Sequence, residues 1–572
     1  MEYQTKLSNT KRKNKENLDI FRELYEVAQQ YYSPQLERMD QNMRQYLGSG
    51  EIDGSSEPAS IVRNITFEII ESEISANIPI AKVDPTSYSD SHYRCAKAIE
   101  QLCYSIRNKL PFEAMNDSDE RYTYIMGGSV WYVEWDSELE SSVGGGVRVH
   151  CLSPESFIPQ PGVIDIDDME YCFLRLSTTK GELMRRWGVT KDELSLADCE
   201  YEYDTDATLT DTVRVIIAFY RGEDGEIGRF IFSGDLVLSD IPRYYMRKGE
   251  ICSVCASPKG ECDCGKDYVF GDILYEPLLE NGKKYLLPYY TPKSFPIIIR
   301  RNTFDDFSLY GSSDCERIRP QQQAINKVES RILAKLLRAG ITPVVPEDAS
   351  VSVTNAVFGQ VIKLRPGEST DNYGKIDTTP NIMQDIAEAD RLYDQAKRII
   401  GISDALQGAD ATNIESGYAR ELKINQATNR LESKKRLKNL CYEGIYRLIF
   451  EHYLAFADEE RSLCYKDVFG NLHDASFRRA DFIEISPDGT ARYCDDYVFT
   501  VDLNGEGEYQ REVIWERNLK SLEAGTLGDK TSPEALLRYW QSQEKAHYPF
   551  ARENIEYFEN LLNKTKNNNE SE

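Results

Sequence analysis

Four cysteines have the residue type and spacing that suit metal chemistry. Cys252, Cys255, Cys262 and Cys264 read C-x2-C-x6-C-x-C inside a turn-rich stretch, 250–268. Zn²⁺ takes four soft ligands in a tetrahedron, and two close cysteine pairs can supply them from a loop with no core of its own. Pro258, Gly260 and Gly265 allow the tight turns. The spacing predicts a structural Zn²⁺ and not a catalytic one, because four thiolates leave no open position for water. Free thiols in chance spacing are the alternative. The other nine cysteines are scattered singly, as small core residues are.

Further chemistry is hard to find. The five histidines are His92, His150, His452, His473 and His547, and none forms an H-x3-H or H-E-x-x-H pair. There is no G-x-S-x-G elbow and no G-x4-G-K-[ST] loop. Gly144 to Gly146 lacks the following GK[ST] and helix that a phosphate cradle needs, and reads as a hairpin loop. Acidic residues are many, yet no pair stands out for acid/base work. The expectation is a protein without catalysis of its own, with a Mg²⁺-dependent nuclease as the alternative.

The elements that must position these residues belong to a chain of 572 residues, too long for one core. The net charge of −27 argues against a protein that grips DNA, since phosphate affinity comes from clustered Lys and Arg. It does not exclude a conduit through which DNA slides. No run of 18 apolar residues exists, so no membrane span is expected. The basic, polar N-terminus has no apolar segment of the kind a secretory signal carries. Thirteen cysteines without an export signal read as reduced thiols or metal ligands.

Periodicity predicts an α+β fold. Residues 1–17 read as a flexible basic arm. A helix follows with Ile20, Leu24, Val27 and Tyr31 as its stripe, broken at Ser33-Pro34. In 63–85 a helix with Phe67, Ile70, Ile74 and Ile78 precedes an extended run. Helical spacing continues through 91–125. In 127–138, Val130, Tyr132 and Glu134 alternate with Trp131, Val133 and Trp135, a strand pattern. Thr179 with Glu182, and Thr190 with Glu193, read as capping boxes. Helices are expected at 313–339, with a kink or restart at Pro320, and at 381–400. Strand and turn lie between them. A helix at 418–457, strands at 458–505 and helices at 506–563 complete the chain, before a disordered tail at 564–572. The loop 404–417 has only Leu406 and Ile414 as apolar anchors between two long helices, so it must face water or a ligand surface.

Five segments, in order, resemble portal proteins of tailed bacteriophages, of the kind found in long-tailed phages of Gram-positive bacteria. They are RNITFEIIESEISANIPIAKVDP, YIMGGSVWYVEWDSE, HCLSPESFIPQPG, GSSDCERIRPQQQAINKVESRILAKL and LQGADATNIESGYARELKINQATNRLESKK. The resemblance implies a ring, usually of twelve copies, at the capsid portal vertex of the virion, assembled in the host cytoplasm. DNA would be packaged through it by the terminase large subunit and ejected through it. The ring would also meet a head-completion or adaptor protein, the major capsid protein and scaffolding protein, and double-stranded DNA non-specifically. By the same resemblance, 18–305 is the wing, with 250–268 as an insertion. Residues 306–340 and 381–403 form the stem helices, 341–380 the clip and 404–417 the tunnel loop. Residues 418–457 form the long helix, 458–505 the returning wing strands and 506–563 the crown. In such a loop Gln407, Asp410, Thr412 and Asn413 can touch phosphates through water; a plain solvent loop is the alternative. Lys423, Arg430, Lys434 and Lys435 can reach DNA from the next helix, or be a solvated or acid-paired face. A capsid-associated adaptor without a tunnel and a phage DNA-processing enzyme are the other functions considered.

Overall fold

The computed structural model describes residues 2–49, 62–87, 89–137, 139, 144–199, 212–254, 267–273, 275–280, 283–303, 308–337, 341–344, 352–356, 359–363, 374–377, 381–402, 417–466, 472–485, 490–502, 507–545 and parts of 551–562. The fold is α+β. Ten helices are described: α1 (Glu2–Leu47), α2 (Ile65–Glu73), α3 (Asp90–Lys109), α4 (Phe112–Met126), α5 (Lys180–Trp187), α6 (Asp314–Leu337), α7 (Met383–Ile400), α8 (Gly417–Phe456), α9 (Gly507–Glu523) and α10 (Pro533–Lys545).

One strand organises the molecule. Gly128–Asp136 is the centre of a three-stranded antiparallel sheet, between Ile297–Arg301 and Gly146–Leu152. The period-2 reading holds, but both faces are covered. Val130 and Tyr132 enter one core, with α4 and a five-stranded sheet; Trp131 and Val133 enter another, with α3 and α8. The five-stranded sheet runs from Phe157–Pro159 through Tyr171–Thr179, Thr212–Arg221 and Ile227–Ser233 to Leu236–Ile241, each strand pairing with the next. Both threonines cap as expected, but only Thr190 and Glu193 make the reciprocal box, the Thr190 amide donating to Glu193 at 3.0 Å, while the Glu182 carboxylate accepts from the Thr178 hydroxyl at 2.9 Å. The Glu182 amide donates to Thr179 Oγ1 at 3.2 Å and starts α5, and the Glu193 amide donates to Thr190 Oγ1 at 3.4 Å.

Several expectations need correction. The first helix runs from Glu2 to Leu47 through Pro34, so the basic segment is helical backbone from Glu2 and Ser33-Pro34 is no break. Contacts on either side of the proline hold the helix together: Phe21, Tyr25 and Ala28 pack on the five-stranded sheet, and Met39 and Tyr46 on the larger core. The buried stripe is therefore Leu18, Phe21, Tyr25 and Ala28, while Ile20, Val27 and Tyr31 stay exposed. In α2 the buried apolar residues are Ile65, Ile69 and Ile70, and Phe67 is exposed. The helix stops at Glu73, so Ile74 and Ile78 lie outside it. Likewise α6 passes through Pro320 without a restart.

The motif YIMGGSV has a packing reason. Gly127 ends α4 in the left-handed region (φ +93°), and its carbonyl accepts from the amides of Asn302 and Gly311, both at 3.0 Å. A Cβ there would lie 2.2 Å from the Gly311 carbonyl oxygen. Gly127→Ala is expected to destabilise by about 2 kcal/mol or more, from left-handed strand entry plus a backbone clash. A melt within a degree of the native protein would contradict this.

Helices α6 and α7 pack on each other, and the segment between them leaves and returns as one. Ile341–Val344 pairs antiparallel with Gly374–Asp377, and Ser352–Ala356 with Gly359–Lys363. Gly401, in the left-handed region, closes α7. After α8 the chain makes two short hairpins and then returns to its N-terminal region, where Tyr497–Asp502 pairs with Ile80–Pro85. Ser532 caps α10, accepting from the Ala535 amide at 3.2 Å, with Pro533 at the first helical position.

Candidate functional site

The polar centre of the molecule is where α2, α4, α6, α8 and the strand Ile297–Arg301 converge. On α4, Asn116, Asp119, Glu120 and Thr123 recur at i, i+3, i+4 and i+7, and all four are buried. Asp119 accepts from Ser129, from Trp131 Nε1 at 2.9 Å and from Arg300. Arg300, itself buried, also donates to Glu120 at 2.7 Å. Glu120 meets Lys438 of α8 at 3.0 Å and accepts from the Ser75 amide at 3.1 Å. Lys438 donates to the Asn77 carbonyl at 2.6 Å, and Tyr442 to Asn116 at 3.1 Å. One turn earlier on α8, Lys434 binds Asp314 of α6 at 2.6 Å and Glu73 of α2 at 3.3 Å.

The network joins four carboxyls (Glu73, Asp119, Glu120, Asp314) to three cations (Arg300, Lys434, Lys438). Burial, then the neighbouring Asp314, pushes Glu73 well above the usual carboxylate range, against Lys434. Burial would raise Glu120 too, but Arg300 and Lys438 outweigh it and hold it low. These groups face one another and not a cleft. The arrangement fixes the direction in which α6 and α8 leave the body, and offers no free carboxylate pair for acid/base catalysis.

This placement corrects one residue assignment. Lys434 is buried in the network and does not face outward toward DNA. The acid-paired alternative describes it, because the lysine neutralises two carboxyls that would otherwise be buried unpaired. Lys435 is half-buried and already has an interaction partner. Lys423 and Arg430 lie on α8, but their side chains are outside the described residues. So are Gln407, Asp410, Thr412 and Asn413 altogether. Sequence reading missed Asp119, Glu120 and Arg300. The available signal was the helical repeat of polar residues in α4, which has the same spacing as a solvated face.

Of the four clustered cysteines, only Cys252 is described; Cys255, Cys262 and Cys264 lie outside. Cys252 is buried at the end of the strand Arg247–Cys252, opposite Tyr268 of the strand Tyr268–Ile273. The Ser253 amide donates to the Asp267 carbonyl at 3.1 Å, so the hairpin brings both ends of the cysteine-bearing stretch together. The Val254 amide donates to Cys252 Sγ at 3.5 Å.

A separate cleft of about 570 Å³ lies between Asp167, Arg221, Tyr290, Lys293, Glu451 and Asp495. Burial pushes Glu451 up to about 7, with Arg447 opposing and Asp495 adding to it. Next to it, His452 is fully buried and pushed down to about 4; its Nδ1 donates to the Leu448 carbonyl at 2.7 Å. Among the described residues no helix is long and apolar enough to cross a membrane. Compared with protein-family models and with curated proteins, the sequence matches none.

Proposed function

We propose that this chain is the protomer of a portal-type ring: a DNA conduit and assembly platform at a capsid vertex, without catalysis of its own. The five ordered sequence segments carry the identity. The observation that supports it is apolar surface left uncovered on the α6–α7 pair and on α1. On the α6–α7 pair, Leu336, Met383, Ile386 and Ile399 are exposed; on α1, Ile20, Val27 and Tyr31 are. A neighbouring copy would cover such surface in a closed ring. Helix α8, 40 residues long, is held by buried residues from Lys434 to its C-terminal end. Its first half and the loop before it would line the channel. Terminase, an adaptor, capsid and scaffolding proteins are the partners this reading implies, with virion localisation. A structural Zn²⁺ at Cys252, Cys255, Cys262 and Cys264 would close the tip of the hairpin.

Negative-stain microscopy with mass determination tests the reading. A ring with a central hole of roughly 20 Å or more, wide enough for duplex DNA, is expected. Ile386→Asp with Ile399→Asp should break it into single chains. A chain that stays monomeric even with scaffolding protein present overturns the ring. Deleting 404–416 should stop packaging with the ring intact; normal packaging would favour the adaptor reading. Mg²⁺-dependent DNA cleavage would favour the DNA-processing enzyme.

A further inference from the structure

Three donor side chains from opposite ends of the chain meet at the N-terminus of α3. His92 and Cys95 lie three apart on that helix and so on one face. Glu484 comes from the strand Ile483–Ile485, and Cys494 directly follows Ala491–Tyr493. The Cys494 amide donates to the Phe482 carbonyl at 2.7 Å, which fixes the thiol opposite the helix. His92 Nε2 is 2.7 Å from Glu484 Oε1, and the ligand atoms of His92, Glu484 and Cys494 all lie within 4.8 Å of one another. Among the described residues this is the one such grouping of His, Cys and carboxylate.

The surroundings are built as metal-site surroundings are. Ser89 Oγ sits 2.6 Å from His92 Nδ1, so the ring can donate there and present Nε2 as a lone pair. Arg492 holds the other oxygen of Glu484, at 3.3 Å, leaving Oε1 turned to the histidine. The Tyr497 hydroxyl is buried and has no hydrogen-bond partner at ordinary distance, yet it rests against the thiols of both Cys95 and Cys494. A sulfur made anionic by a metal would give that hydroxyl an acceptor. Tetrahedral Zn²⁺ spaces its donors about 3.3–3.7 Å apart, given bonds of about 2.0–2.3 Å. His92, Glu484 and Cys494 reach that spacing by rotamer adjustments of about an ångström, whereas the Cys95 thiol donates to the Asp481 carbonyl at 3.2 Å and has to turn from it to complete the tetrahedron.

We propose that His92, Glu484 and Cys494, with Cys95 as fourth ligand, form a Zn²⁺-type site that ties α3 to the C-terminal strands. One imidazole nitrogen, one carboxylate oxygen and two sulfurs suit Zn²⁺ or Co²⁺, and do not suit Mg²⁺ or Ca²⁺. Each thiol gives its proton to solvent as the metal binds. The half-buried position lets an ion enter. The ion would close a loop of about two thirds of the chain, as His92 and Glu484 are 392 residues apart in a chain of 572. Nothing in this site depends on the ring or on the cysteine-rich hairpin.

The test uses the full-length protein, stripped by chelator and titrated with Zn²⁺ or Co²⁺. In a Cys252→Ser/Cys255→Ser background, one ion per chain should still bind, with a thiolate-to-cobalt absorption band in the near ultraviolet. Cys494→Ser should weaken the band to about half and Cys95→Ser/Cys494→Ser should abolish it, and Glu484→Gln should weaken binding about tenfold or more while preserving a hydrogen bond to His92. If the double background does not fold, the native chain and Cys494→Ser are compared by elemental analysis, and the variant should hold one ion fewer. A stoichiometry unchanged by both His92→Ala and Cys494→Ser overturns the site, as does a cysteine-rich background that binds no metal. Either result would leave His92 and Glu484 an ordinary ion pair.

Discussion

Replacing Arg300 with methionine is expected to cost about 3–5 kcal/mol of stability, the largest single-residue effect in this molecule. The guanidinium is buried, and it donates to both Asp119 and Glu120. Methionine fills much of its volume but leaves two neighbouring carboxylates with one cation fewer. Lys438 still reaches Glu120, but no cation in the network other than Arg300 reaches Asp119. The second variant separates lost charge balance from lost packing. In Arg300→Met/Asp119→Asn, the amide oxygen can keep accepting from Ser129 and Trp131 while one buried negative charge is gone. That double variant should recover more than half of the loss, a coupling of about 2 kcal/mol. Denaturant midpoints for the native, single and double proteins decide it. A single variant that unfolds with the native protein would mean that the network contributes nothing.

The second large effect concerns pH, and involves two adjacent residues with opposite slopes. His452 is pushed from its ordinary 6.5 to about 4 by burial. Its contribution is present above pH 6.5 and lost as pH falls toward 4, because the unfolded chain takes the proton first. Glu451 is pushed from 4.5 to about 7 by burial. Its contribution is present below pH 4.5 and lost as pH rises through 7, since the folded chain must then ionise a buried acid. The histidine effect is roughly 3 kcal/mol. The glutamate effect is about 2 kcal/mol, since it lines a cleft that water reaches. Between pH 4.5 and 6.5 the two oppose each other. Relative to the native protein, Glu451→Gln should therefore gain stability as pH rises from 4.5 to 7.5. His452→Gln should gain relative to native as pH falls from 6.5 toward 4, from whatever offset its altered packing sets. Thermal melts across pH 4–8 give both differences. Parallel curves for all three proteins would contradict the assignment.

Much of the scaffold was legible in sequence because its signals are local. The alternation from Val130 to Trp135, the caps at Thr179 and Thr190 and the spans of α6, α7 and α8 each depend on neighbours within a few positions. What failed depended on distant partners. In α1 two apolar stripes compete, and only the position of the five-stranded sheet decides that Phe21 and Tyr25 go in and Val27 and Tyr31 stay out. In α4 a polar repeat looks solvated until Arg300, about 180 positions away, is placed against it. Lys434 looks like part of a basic surface until Asp314 is seen beneath it. The same holds for His92, Cys95, Glu484 and Cys494, which carry no motif and meet only through the return of the last strands.

The double-sided burial of Gly128–Asp136 also sets a timetable for synthesis. One face is covered mainly by residues up to about 315, with Ala455 and Phe456 at the end of α8 added later, but the other waits for most of the buried face of α8 and for strands that end near 500. At about 5–20 residues per second, roughly 20–70 s pass between the strand leaving the ribosome and its last partner doing so. Through that interval Trp131 and Val133 lack the α8 residues and late strands that cover them in the finished protein. The nascent chain is thus a client for holding chaperones, and an expression host short of them should accumulate this protein in aggregates formed before release and not after it.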